Sequence, residues 1–313
     1  MKLLIRSILV SIPLFLLTSS LVSAGDLRTA ETTYHTVQVG EVEVFYRAAG
    51  EANAPVLILL HGFPSSSHQY RELIPLLANK FRVIAPDYPG FGNTVAPGKD
   101  HYDYTFDNLA NTMQGFTEAL NLNAFSLYVF DYGAPIGFRM ALANPEKVTA
   151  IISQNGNVYE EGLSDAWAPV KAYWNDASLQ NRNALRGLLK YETTRWQYIT
   201  GAPTDRLQRI SPDSIAHDQS NLDRNPEIQL DLFQSYASNV AAYPEWQAYL
   251  RENTPPLLAL WGKNDPFFLP AGAHAFKRDV PHAIVEFVDA GHFPLETHLV
   301  EIAERIHSFL ESI

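Results

Sequence analysis

Cysteine is absent from the 313 residues, which excludes disulfides and thiolate-bound metals and leaves the compartment unreadable from redox chemistry. Positive charge is scarce: 23 Lys and Arg stand against 34 Asp and Glu, for a formal net charge of −11. No basic run occurs beyond the extreme N-terminus. Nucleic acid is therefore not an expected partner, because phosphate binding needs clustered Lys and Arg. The acidity suits solubility instead. Past the N-terminus no apolar stretch is long enough to cross a bilayer. Internal repeats, low-complexity linkers and metal-ligand spacings are lacking too.

What is present begins with a positive start, Lys2 and Arg6, followed by the apolar stretch Ser7–Leu17 and by Leu21-Val-Ser-Ala24. This is the three-part pattern of a secretory signal peptide, residues 1–24, with cleavage expected after Ala24. An exported protein, periplasmic or secreted, is expected, without stable membrane insertion once the peptide is removed. The competing reading, an uncleaved anchor, is weakened by the short apolar core.

Beyond residue 24, short apolar runs alternate with helical patterns. Residues 33–39 and 42–48 alternate around Gly40, as in a β-hairpin. Segment 56–60 is a continuous apolar run, the mark of a strand buried on both faces of a parallel sheet, and 82–86, 125–130, 148–153, 256–261 and 283–288 read as further strands. Segments 69–79, 105–120 and 295–312 repeat apolar residues at helical spacing, and a helix is expected after Asp131 to about Ala143. From 157 to 250 the alternation stops, and about five helix-like stretches rich in Trp and Tyr take its place. The fold class is α/β: a mostly parallel central sheet with helices on both faces and an inserted helical cap. The expected layout is core over 25–156, cap over 157–250 and core again over 251–313.

Ligands of an open parallel sheet bind beyond the carboxyl ends of its strands, and three residues stand at such ends. Asp131 lies between the 125–130 strand and a helix, at a sharp strand–turn–helix elbow with Gly133. Asp265 follows the Trp261 strand in Gly-Lys-Asn-Asp-Pro, and His292 follows the Val288 strand in Asp-Ala-Gly-His-Phe. Each has a plainer reading taken alone: Asp131 as a helix N-cap, Asp265 as a turn residue. Together they follow the chain order nucleophile, acid, histidine. From about residue 35 the chain resembles the epoxide hydrolase and haloalkane dehalogenase branch of the α/β-hydrolase superfamily. The matching pieces are His61-Gly-Phe-Pro64, Asp87-Tyr-Pro-Gly-Phe-Gly92, Val129-Phe-Asp-Tyr-Gly133, Trp261-Gly-Lys-Asn-Asp265 and Ala290-Gly-His292.

The resemblance implies α/β-hydrolase fold and a hydrolase acting on a small molecule. Asp131, ionised at neutral pH, would attack an sp³ carbon and form an ester. His292 would activate the water that hydrolyses it, and Asp265 would orient and charge-stabilise the imidazole. The backbone N–H groups of Phe63 and Tyr132 would form the oxyanion hole, with His61 shaping that loop. No cofactor is implied, since the chemistry needs only water. Val129 departs from the family pattern, where the position two before the nucleophile is small.

The leaving group decides the activity. An epoxide oxygen needs O–H donors from the cap; by position along the family's cap, Tyr236 and Tyr198 are the candidates, the competing reading being that these rings pack the cap core. A halide needs N–H donors, and Trp196 or Trp167 would have to supply them, because Tyr132 and Phe63 occupy the positions where dehalogenases usually carry Trp and Asn. Fluoroacetate dehalogenases carry arginines just after the nucleophile, where this chain has Tyr132-Gly-Ala-Pro135. Epoxide hydrolysis is the expected activity, haloalkane dehalogenation the alternative. A catalytically silent binding scaffold of the same fold is the reading from another class. Oligomeric state is left open.

Overall fold

In the computed structural model, which describes residues 30–313, the hairpin and the six further segments become eight strands. They are β1 (Thr33–Val39), β2 (Val42–Ala49), β3 (Val56–Leu60), β4 (Arg82–Pro86), β5 (Phe125–Phe130), β6 (Val148–Gln154), β7 (Leu257–Gly262) and β8 (Ile284–Val288). The expected signal peptide, residues 1–24, lies outside the described residues. The strands form one sheet in the order β1-β2-β4-β3-β5-β6-β7-β8. β1 and β2 pair antiparallel about Gly40, whose φ of 56° suits a residue without Cβ. β2 also pairs antiparallel with β4, and every pairing from there to β8 is parallel.

Side chains alternate across this sheet and divide the core in two. Ile58, Leu60, Leu127, Val129 and Ile151 point to the face covered by α2 (Phe106–Ala119) and α3 (Gly133–Ala143). Leu57, Leu59, Phe130, Ile152 and Leu260 point to the opposite face, with α1 (Leu73–Leu77) and the C-terminal helix over 294–310. Each fully buried side chain of this kind contributes roughly 1.5–3 kcal/mol, so burial on both faces explains why these strands read as unbroken apolar runs.

Two helices differ from expectation. The continuous helix expected over 69–79 is instead a 3₁₀ turn, Ser67–Tyr70, followed by the short α1. Pro75 is the reason: in a longer helix its ring would clash with the carbonyl of Arg71, and it has no N–H to donate there. The last helix begins at Pro294 and is kinked at His298.

Between β6 and β7 run α4 (Ala168–Asn175), α5 (Leu179–Ala184), α6 (Tyr191–Ile199), α7 (Pro212–Arg224), α8 (Pro226–Ser235) and α9 (Ala237–Asn253). α10 (Pro270–Asp279) links β7 to β8, and α11 (Pro294–Leu310) ends the chain. No helix among the described residues is long and apolar enough to cross a membrane.

Candidate active site

The first residue past β5 is Asp131, held at φ 48°, a conformation uncommon for a residue with a side chain. The elbow survives because its neighbours are small. A Cβ on Gly133 would run into the carbonyl of Leu60, and one on Gly62 would meet Asp131 Oδ1 at 2.6 Å. Val129, the departure noted above, is accommodated from the helix: a Cβ on Gly137 would lie 2.5 Å from Val129 Cγ1. The glycine supplies the space that a small residue at 129 would otherwise provide.

Asp131 Oδ1 accepts hydrogen bonds from Phe63 N–H at 2.7 Å and Tyr132 N–H at 2.6 Å. The other oxygen, Oδ2, faces His292 Nε2 at 3.8 Å. His292 Nδ1 pairs with Asp265 Oδ2 at 2.8 Å, which leaves the Nε2 lone pair directed at the nucleophile side. Asp265 Oδ1 in turn accepts from Phe267 N–H at 2.7 Å and Phe268 N–H at 3.2 Å. The three residues picked out at strand ends thus converge beyond the sheet's carboxyl edge, and all three are buried.

Burial pushes the Asp131 carboxyl up to about 6, although the His292 charge and the two N–H donors oppose it. For His292, burial acts downward, but the Asp265 charge and hydrogen bond, with Asp131, overcome it and raise the imidazole above its ordinary value. His61 lies behind the Phe63 loop, stacked on Tyr88 at 4.0 Å. Its Nδ1 pairs with the Gly62 carbonyl and its Nε2 accepts from Tyr88 N–H. Burial lowers it to about 4, so it is neutral and braces the loop.

A cavity of about 50 Å³ lies over Asp131, walled by apolar side chains including Phe63, Trp167, Val170 and Phe233. The cap candidates fall differently around it. The Tyr236 ring packs at 4.5 Å on Trp167 and 5.8 Å from Tyr132, directly behind that wall, with its buried hydroxyl beside that of Tyr243. The Tyr132 hydroxyl, also buried, is without a hydrogen-bond partner.

The structure does not bring Tyr198 or Trp196 into the cavity lining as leaving-group donors. Tyr198 points to the opposite core, stacked on Phe293 at 4.1 Å, with its hydroxyl donating to Asp218 Oδ2 at 2.5 Å. Trp196 is 41% exposed and stands outside the cavity against Phe267. The residue between them, Gln197, faces the cavity and is only 3% exposed. Successive residues of a helix point about 100° apart, so one position on α6 separates a wall residue from a core one and a surface one. Trp167 does line the cavity, but its Nε1–H donates to the Phe267 carbonyl at 3.2 Å.

Asn155 was not singled out in the sequence. It follows β6 at φ 49°, donates from Nδ2 to Asp265 Oδ2 at 2.6 Å and accepts from Gly262 N–H at 3.0 Å. The signal was available: Asn before Gly156 at a strand end is a residue suited to positive φ. Among the described residues, no three His, Asp or Glu side chains are grouped closely enough to hold a metal ion.

Comparison with known proteins agrees with this architecture. An uncharacterized hydrolase of Saccharomyces cerevisiae is 43% identical over 284 residues, covering 88% of this chain and 96% of that one. A haloalkane dehalogenase of Mycolicibacterium paratuberculosis is 27% identical over 292 residues, 87% of this chain and 89% of its own. The crystal structure of an epoxide hydrolase from Vigna radiata superposes with a TM-score of 0.71 at 21% identity, over 90% of this chain and 98% of that one. That likeness speaks for the fold. Residues 55–299 match the alpha/beta hydrolase fold family, and with the sheet order and the elbow described above, the chain belongs to that family and is a hydrolase.

Proposed function

We propose that this hydrolase opens epoxides through a covalent ester on Asp131. The observation that carries the reading is the division of labour between the two carboxylate oxygens. Oδ1 already fills both backbone N–H donors, while Oδ2 is free in an apolar cavity opposite His292. Oδ2 attacks the less hindered ring carbon, the C–O bond breaks, and the ring oxygen takes a proton as it leaves. Water deprotonated by His292 Nε2 then attacks Asp131 Cγ. The oxyanion develops on Oδ1, where the Phe63 and Tyr132 N–H groups already point, and collapse, with the proton passing from His292 to the departing alkoxide, releases a 1,2-diol. Asp265 keeps the imidazole oriented and stabilises its cation, with Asn155 fixing Asp265 in turn.

The leaving group is argued from donors. Tyr236, a buried phenol behind the cavity wall, has its pKa held well above 10 by burial and then by Tyr243 and Asp131, so it stays protonated at neutral pH. Halide binding finds less support. The indole N–H groups of Trp167 and Trp174 are spent on the carbonyls of Phe267 and Phe233, which leaves the Gln197 amide as the cap N–H group facing the cavity.

The test is intact-protein mass spectrometry of a His292→Gln variant mixed with small epoxides and with haloalkanes. Without its base the variant accumulates the ester, and the expected adduct carries the whole mass of the epoxide. An adduct equal to the haloalkane less hydrogen halide would make the protein a dehalogenase instead. No adduct with either class, in a folded variant, would remove the covalent mechanism.

The pH dependence follows from the same groups. Ester formation needs ionised Asp131, so its rate drops about tenfold per unit as pH falls below about 6. Ester hydrolysis needs neutral His292, whose raised pKa places the acid limb of kcat above the ordinary 6.5. No alkaline loss is expected up to pH 10, because Tyr236 keeps its proton there. Pre-steady-state rates of ester formation, measured beside kcat, separate the two limbs.

A further inference from the structure

The cavity over Asp131 is small, about 50 Å³, against roughly 300–1,000 Å³ for pockets that enclose a drug-sized ligand. The rest of a substrate lies beyond it, and burial shows which way it leaves. Val170 and Phe233 line the cavity and are buried, whereas Ala166 in the same lining is exposed, and Leu188 and Phe267 are half-buried. Phe267 bridges inside and outside. Its ring stands edge-on to His292 at 5.2 Å and to Trp196 at 5.6 Å. Trp196, 41% exposed, therefore continues the apolar wall from the base of the site into solvent.

We infer that the strip formed by Phe267 and Trp196 binds an unbranched apolar tail of the substrate, so that the preferred substrates are terminal epoxides of medium to long alkyl chains. This rests on the reading that the Asp131 cavity receives the epoxide. Three observations fix the occupant as a tail of the substrate itself. The cavity is too small to enclose a chain, its lining reaches the surface at Ala166, Leu188 and Phe267, and the exposed Trp196 ring packs on Phe267. An alkyl chain leaving the mouth covers the indole face and loses its own contact with water, which favours binding in proportion to chain length. A terminal ring suits the geometry, since only a small head fits over Oδ2.

The test measures the affinity of 1,2-alkanediols from butanediol to decanediol, and kcat/KM for the corresponding 1,2-epoxides, in the wild type and in Trp196→Ala. Diol affinity is expected to rise about two- to fourfold per methylene until the strip is covered. Trp196→Ala should leave the four-carbon compounds unchanged and weaken the ten-carbon ones about tenfold. A flat series in the wild type overturns the tail site, and so does an equal loss at both lengths, which marks Trp196 as merely structural. Self-association or vesicle binding that depends on Trp196, with no change in the series, makes the strip a contact surface and also overturns it. Graded diol binding without turnover of any epoxide would leave the tail site standing and reject the epoxide reading instead.

Discussion

Asp131→Asn is expected to abolish turnover, by roughly 10⁴-fold or more, and at the same time to raise the melting temperature at pH 7. The backbone favours the exchange: φ is 48° at this position, and Asn is among the few residues with side chains that adopt it readily. Its Oδ1 keeps the Phe63 and Tyr132 N–H groups satisfied. What disappears is a buried charge. The carboxyl is raised from 3.8 to about 6 on folding, so the ionised form weakens the native state by about 3 kcal/mol at neutral pH. Part of this is returned, because Asp131 also helps to stabilise the His292 cation. The sign has a pH signature. Below the unfolded value of 3.8 the carboxyl is protonated in both states and the cost is absent; it grows as pH rises to about 6 and is constant above. Thermal denaturation at about pH 3 and about pH 7 should show equal stability at the first and a gain of several degrees for the variant at the second. A lower melting temperature for Asp131→Asn at pH 7 would mean that the ionised nucleophile is stabilising the fold.

The second large effect is expected at a residue that carries no chemistry. In Gly62→Ala the new methyl would stand 2.6 Å from Asp131 Oδ1 and 2.9 Å from its Cγ. The carboxylate cannot yield, being pinned at the elbow, so the loop of Gly62 and Phe63 must retreat and the 2.7 Å bond from Phe63 N–H is lost. Removing one such donor costs about 10²–10³ in kcat. Circular dichroism should show the fold intact. Ester accumulation in a His292→Gln background should shift little, because the oxyanion forms in the second step. A variant with normal kcat would show that the loop relaxes around the methyl.

Much of this arrangement was legible beforehand, and the residues show why. β3, β5 and β7 are buried on both faces, so their unbroken apolar runs carried the signal for a parallel sheet, and the chemistry sits one to four residues beyond strands that could be located. Asp131, Asp265 and His292 could be picked out because backbone topology brings strand ends together whatever the side chains do. The cap offered no such frame. In α6, Tyr-Glu-Thr-Thr-Arg-Trp-Gln-Tyr-Ile, polar Thr194 and Gln197 are buried while Trp196 is exposed, so hydropathy points the wrong way. Aromatic chemistry drew the choice to Trp196 and Tyr198, when the cavity takes the amide between them. The short α1 was legible in principle, from Pro75. The accommodation of Val129 by Gly137 was not, since it depends on how close one helix lies to one strand.

That Oδ1 accepts two hydrogen bonds also bears on which reagents would react with this protein. A serine hydrolase at rest has an open oxyanion seat that the substrate's carbonyl oxygen enters. Here the nucleophile's own oxygen occupies it before anything binds. Phosphonates and boronates, which label serine enzymes by placing an oxygen in that seat, find neither a hydroxyl to modify nor a vacancy to fill. On the proposed mechanism, an inventory of hydrolases taken with such probes would pass over this one, while alkylating electrophiles would find it.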